Sequence, residues 1–128
     1  MGILNLTPDS FSGDGLLKKE SSQEEFEIDL AAILEIARNF VENGADILDV
    51  GGESTRPGAQ LVSLDDEMNR VLPVIGILAA NLDVVLSIDT YKASVAEAAI
   101  QKGAHMINDV WGFHADPAIA GVAAKHHT

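Results

Sequence analysis

Cysteine is absent from the 128 residues. Its absence excludes a disulfide framework, a thiolate zinc site and an iron–sulfur cluster. Basic residues are scarce: Lys and Arg total 8 against 20 Asp and Glu, for a formal net charge of -12. So acidic a surface repels a phosphate backbone, which argues against nucleic acid or an anionic membrane as partner. A small anion remains admissible, because one Arg with backbone amides can capture it against the global field. No apolar run approaches the roughly 20 residues of a membrane span. The N-terminus lacks the basic region and long apolar core of a signal peptide. These absences lead to the expectation of a soluble cytoplasmic protein. Hydrophobic residues make up 47%, so the chain can bury a core and is not a disordered acidic tail.

What is present alternates between short buried runs and amphipathic stretches. Gly2 to Leu6 reads as a strand halted by Thr7-Pro8-Asp9, with Asn5 near its end. Ser10 to Leu17 is a Gly, Ser and Asp loop. Ser22 and Glu25 form a capping box, and Phe26, Leu30, Ile33, Ala37, Phe40 and Val41 follow at helical spacing to an Asn43-Gly44 stop. The acidic side of that helix, with Glu27, Asp29 and Glu35, reads as a solvated face. Ile47 to Val50 is a second strand. Ser63 with Asp65, Asp66 and Glu67 opens another helix, which Pro73 is expected to bend or split. Val84 to Ile88 is a third strand ending at Asp89, and Lys92 to Lys102 an Ala-rich helix stopped by Gly103. Met106 and Ile107 make a fourth, ending at Asn108-Asp109. Asp116-Pro117 marks the N-cap and first turn of a last helix.

The order is βαβαβαβα with strands of parallel-sheet type, and no linker divides the chain. Gly44–Asp49 and Gly103–Asn108 are alike in pattern, which recurrent αβ-loop chemistry explains without duplication. Each βα unit takes about 32 residues, so eight would make about 250, the size of a (β/α)8 barrel. The expectation is an α/β fold of the TIM-barrel family carrying about its first four βα units, ended after the fourth.

Four strands end in Asn5, Asp49, Asp89 and Asn108, and in parallel α/β architecture all such ends lie on one face. Carboxylates with carboxamides suit a flat heterocycle that offers donors and acceptors. Asp49 reads equally well as a brace for its own loop. Gly51-Gly52 with Ser54, Thr55 and Arg56 make an anion cradle of amides, hydroxyls and a guanidinium, although Arg56 alone is also an ordinary loop cation. Asn5, with Thr7 and Asp9 nearby, offers oxygens for magnesium. His105 reads as a surface or satisfied histidine, His126-His127 as solvated rather than metal-binding, His114 as a loop residue without support, and Trp111 and Phe113 as local packing.

GILNLTPDSFS at Gly2–Ser12, ILDVGGESTRPGA at Ile47–Ala59 and SIDTYKASVAEAAIQKGAHMINDVWG at Ser87–Gly112 resemble dihydropteroate synthase. The resemblance implies a barrel of the folate pathway that joins 6-hydroxymethyl-7,8-dihydropterin pyrophosphate to p-aminobenzoate, releasing pyrophosphate. It implies Mg2+ at Asn5, pyrophosphate contacts from Thr55 and Arg56, and pterin contacts from Asp89 and Asn108. Asp89 would stabilise a cationic pterin. Phe11 and Pro57 would wall the p-aminobenzoate site, where sulfonamides compete. A homodimer is implied for the full-length protein.

The sequence departs from the family at Gly13-Asp14-Gly15, where Asp-Gly-Gly is usual, so the loop carboxylate is displaced by one position. The family's later Asp, Lys and Arg-x-His elements lie outside the 128 residues, and Met1 falls where its first strand has already begun. The isolated chain is therefore expected to lack synthase activity. Two alternatives are a methyltetrahydrofolate-dependent methyltransferase domain, which lacks the TPDSFS and GGESTRPG loops, and a non-catalytic pterin-binding or assembly module.

Overall fold

A computed structural model of the chain describes residues 1–7, 17–18, 27–55 and 58–128. Four strands, β1 (Gly2–Asn5), β4 (Ile47–Gly51), β5 (Val85–Asp89) and β6 (Met106–Asn108), form one parallel sheet in chain order. Between them lie α1 (Leu30–Glu42), α2 (Leu64–Asn81) and α3 (Ala93–Lys102), and α4 (Ala118–His126) follows β6. This is the expected run of four βα units, and the fold is of the (β/α)8-barrel class. A short antiparallel pair, β2 (Leu17–Lys18) with β3 (Glu27–Ile28), precedes α1 and has no counterpart in the expected scheme.

One face of the sheet is packed against the helices, and the other carries the polar side chains of the strands. Successive side chains of a strand point to opposite faces. Leu4, Leu48, Val50, Leu86 and Ile88 point toward the helices and share one buried cluster with Ile33, Ala37, Val71, Ile75, Leu78, Val95 and Ala99. The alternate residues form two rows across the sheet. In the first, Ile3, Asp49, Ser87 and Met106 are register partners, and in the second Asn5, Gly51, Asp89 and Asn108. The second row lies at the carboxyl ends of all four strands.

Local chemistry sets the helix boundaries. The first helix begins at Leu30, later than its hydrophobic spacing predicts, because the Asp29 carboxylate accepts from the Ala32 amide at 3.0 Å. Asp29 is thus a cap rather than part of a solvated face, and the Ser22–Glu25 capping box lies outside the described residues. Ser63 caps α2, its hydroxyl oxygen accepting from the Asp66 amide at 3.1 Å. Pro73 does not split α2, which is helical from Leu64 to Asn81. Both Pro73 and Asn69, whose carbonyl loses its partner, are exposed, so water can serve that carbonyl. Gly103 ends α3 at φ +117, where a Cβ would also lie 2.7 Å from the Ala79 methyl. Asp116 acts twice, accepting from the Ala118 amide at 3.1 Å and from the Ala93 amide at 2.9 Å. It thereby joins the starts of α3 and α4.

Candidate functional site

The row Asn5–Gly51–Asp89–Asn108 gathers three of the residues singled out from sequence. Gly51 matters by what it omits: a Cβ there would lie 3.4 Å from Asp89 Oδ2 and 3.6 Å from Asn5 Oδ1. The carboxylate and carboxamide oxygens therefore lean over a bare stretch of backbone. Asp49 belongs with them rather than with its own loop. It is 4% exposed, and its Oδ2 accepts from Asn108 Nδ2 at 2.9 Å across the sheet.

Three buried polar atoms on this face, Asp49 Oδ1, Ser87 Oγ and Asp89 Oδ1, have no hydrogen-bond partner among the described residues. Buried polar atoms in folded proteins are nearly always paired, so three orphans together mark a site built for something else to complete. Two of the three can only accept when ionised. A ligand that fits must bring donors.

The site is also strongly negative. Burial, followed by the charges of Asp49, Glu67 and Asp109, raises the Asp89 carboxyl from 3.8 to about 6. Removing water from a carboxylate and placing it beside other carboxylates both disfavour its ionised form. A cationic or proton-rich ligand would relieve that strain.

Beside the row lies a network that fixes the loop following β4. Lys92 Nζ donates to Glu53 Oε2 and Glu67 Oε2, each at 2.6 Å, and to the Val62 carbonyl at 2.7 Å. Thr90 Oγ1 donates to Glu67 Oε1 at 2.7 Å and Tyr91 OH to Glu53 Oε1 at 3.1 Å. Burial pulls the Lys92 ammonium down, but its bonds to Glu53 and Glu67 outweigh this and hold it above its ordinary value. Burial and the Glu53 charge push the Tyr91 hydroxyl up. Arg70 Nη1 donates to the Gly52 carbonyl at 2.9 Å, and a Cβ at Gly52 would lie 2.8 Å from Val71 Cγ1. The double glycine is thus pressed against α2, and Glu53 is tied to the start of α3.

Other expected residues fall differently. Thr55 is exposed in the loop that leaves the same strand end, with no described contact to the row. Phe11, Arg56 and Pro57 lie outside the described residues, as do Asp9 and Asp14. Trp111 and Phe113 are not packed: they are 52% and 48% exposed. The turn carrying them is shaped by Asp109, whose carboxylate accepts from both their amides, with Phe113 at φ 69. His105 is satisfied, accepting at Nδ1 from the Leu86 amide at 3.1 Å. No three His, Cys, Asp or Glu side chains gather as a metal centre among the described residues.

Fold and site together define an α/β protein of the barrel class with unpartnered acceptor atoms near the carboxyl ends of its strands. A family described as pterin binding enzyme matches residues 1–128. The chain belongs to that family. It is 50% identical over 127 residues to a dihydropteroate synthase of Clostridium beijerinckii, covering 99% of this chain and 44% of that protein. A crystal structure of the Clostridium difficile dihydropteroate synthase in the presence of pteroic acid superposes with a TM-score of 0.83 at 48% identity, covering 98% of this chain and 44% of that one. The Xanthomonas albilineans dihydropteroate synthase with 4-aminobenzoic acid superposes with a TM-score of 0.81 at 42% identity, covering 98% of this chain and 42% of that one. The chain thus spans less than half the length of these relatives.

Proposed function

We propose that this chain carries the pterin-holding part of a dihydropteroate synthase. In that reaction the amine of p-aminobenzoate forms a C–N bond to the methylene carbon of 6-hydroxymethyl-7,8-dihydropterin pyrophosphate. The C–O bond breaks with its electron pair going to pyrophosphate, and the amine gives up a proton. The observation that carries the reading is the trio of unpartnered buried atoms at Asp49, Ser87 and Asp89. A pterin edge offers the amino and ring N–H donors that this set lacks.

Each residue then has a physical role. Asp89, beside Asn108 in the register row, accepts from the pterin and stabilises positive charge as the methylene carbon becomes electron-poor. The described part of the site carries carboxylates, and Lys92 is already engaged by two of them. The pyrophosphate therefore requires cations from elsewhere, and Arg56 with the hydroxyl of Thr55 is the candidate on the loop after β4. Asn5 fits magnesium, since its exposed carboxamide presents a hard oxygen at the rim and magnesium takes few protein ligands besides phosphate oxygens. Bound there, the ion would neutralise charge on the leaving group. Phe11 and Pro57 are assigned to the wall of the p-aminobenzoate site, where sulfonamides would compete. On this reading residues 1–128 are part of a barrel domain of a cytoplasmic, homodimeric enzyme.

The test is a pyrophosphate-release assay on the complete protein containing this segment. Release that requires both the pterin substrate and p-aminobenzoate, and that sulfonamide suppresses competitively, is the expected result. Release without p-aminobenzoate, or none with both substrates, would sink the assignment.

A further inference from the structure

Asn108 can present either end of its amide to a ligand, and only one end matches a donor-rich edge. The contact with Asp49 decides between them. Asp49 Oδ2 receives Asn108 Nδ2 at 2.9 Å, and an ionised carboxylate can only accept. The NH2 of Asn108 must therefore face Asp49, and its Oδ1 must face the other way. Asp49 reaches Asn108 from β4 across β5, where its register partner is Ser87. A small residue at that position leaves the path open, and the pair is fixed by an acidic side chain that is almost wholly buried.

We propose that Asp49 is a positioning residue that sets the hydrogen-bond polarity of the pocket. By holding the NH2 of Asn108 it turns the amide oxygen toward the ligand, beside the unpartnered oxygen of Asp89. The pocket then presents acceptors and selects a heterocycle edge of N–H donors over an isosteric edge of carbonyls. The inference rests on the pterin reading above. It adds the basis of selectivity, and it assigns to Asp49 a task that neither Asp89 nor Asn108 performs alone.

The experiment compares binding of 6-hydroxymethylpterin and 6-hydroxymethyllumazine, in which an oxo group replaces the 2-amino donor. The protein is the complete one, as wild type and as Asp49→Asn. The variant keeps size and burial but can donate to Asn108, so the amide is free to turn round. Wild type should prefer the pterin by about 100-fold, the worth of one or two charge-assisted hydrogen bonds. In Asp49→Asn the preference should fall below about 10-fold on the same scale. An unchanged ratio, even with both affinities reduced, would overturn the proposal, because a purely structural role would weaken both ligands alike.

A second readout needs no ligand. The Asn108 side-chain NH2 should exchange with solvent at least about 10-fold more slowly in wild type than in Asp49→Ala, as a bonded amide does. Equal exchange in the two would overturn the orientation argument. If wild type bound neither heterocycle, the pterin reading would fall, whereas the exchange measurement would still decide what Asp49 does to Asn108.

Discussion

Replacing Asp89 with Asn removes one negative charge from a site where Asp49, Glu67 and Asp109 already act on it, and the folded chain should gain stability at neutral pH. Burial first, and then those three charges, raise the Asp89 carboxyl from 3.8 to about 6. An acid raised on folding binds its proton more tightly in the folded state than in the unfolded one. The stability this gives is complete below about pH 4, is lost as the pH climbs to about 6, and stays lost above that. About two pH units correspond to a ceiling of about 3 kcal/mol. Because the side chain is only partly buried, solvent screening reduces the expected gain to about 1–2 kcal/mol.

Urea unfolding of the wild-type chain and Asp89→Asn, followed by far-UV circular dichroism, measures this. Near pH 8 the variant's midpoint should lie higher by roughly 0.5–1 M. Near pH 3, where Asp89 is protonated in the folded chain and mostly so in the unfolded one, the two midpoints should converge within about 0.2 M. A variant no more stable near pH 8, or a difference of the same size at both pH values, would refute the electrostatic account. The stabilised variant should bind pterin worse, as expected where a group is held at a site against its own stability.

Other perturbations test the network and the loop it holds. Lys92→Met leaves Glu53 and Glu67 buried without their cation and should destabilise by about 3–5 kcal/mol, read as a fall in urea midpoint. A loss below about 1 kcal/mol would mean that the network is not a structural anchor. Gly52→Ala forces a Cβ to 2.8 Å from Val71 and 3.1 Å from Glu67 Cγ, with an expected loss of about 1–3 kcal/mol, and an unchanged midpoint would show that α2 yields freely. Arg56→Ala in the complete enzyme should weaken binding of the pyrophosphate substrate more than that of p-aminobenzoate, and equal effects would count against the anion cradle. The outer strands β1 and β6 each have an edge unpaired among the described residues, beside exposed Ile3, Met106 and Trp111, so the 13.5 kDa chain should self-associate on sizing. A monomer at high concentration would contradict this.

The architecture was readable because parallel strands are short, β-branched and closed by polar residues. Asn5, Asp89 and Asn108 ended their strands at equivalent points, so one register row follows directly from the pattern. Asp49 was ambiguous in sequence, since an acid near a strand end serves a loop as readily as a pocket. Only the sheet register, two strands away, shows that it reaches Asn108. Ser87 belongs to no generic chemical motif, although a hydroxyl two residues before Asp89 in an apolar strand must share its face. Glu67 looked like a first-turn acid and Lys92 like a helix start, because a charge cluster assembled from three segments leaves no local spacing to read. Hydrophobic periodicity continues upstream of α1 and predicts an earlier start, whereas the Asp29 cap and the pairing of residues 27–28 with 17–18 decide the boundary. Trp111 and Phe113 looked like packing on composition alone. A turn held by Asp109 leaves them exposed.

The most direct test of the central claim is a titration of 6-hydroxymethylpterin into the isotope-labelled 128-residue chain, followed by NMR. The chain's unpartnered acceptors should draw the ligand to one place. Progressive, saturable shifts are predicted at the backbone amides of Ser87, Ile88 and Asp89 and at the side-chain amide of Asn108, and they should be lost in Asp89→Asn. Saturable shifts elsewhere with none at these positions, or the same response in Asp89→Asn, would contradict the account.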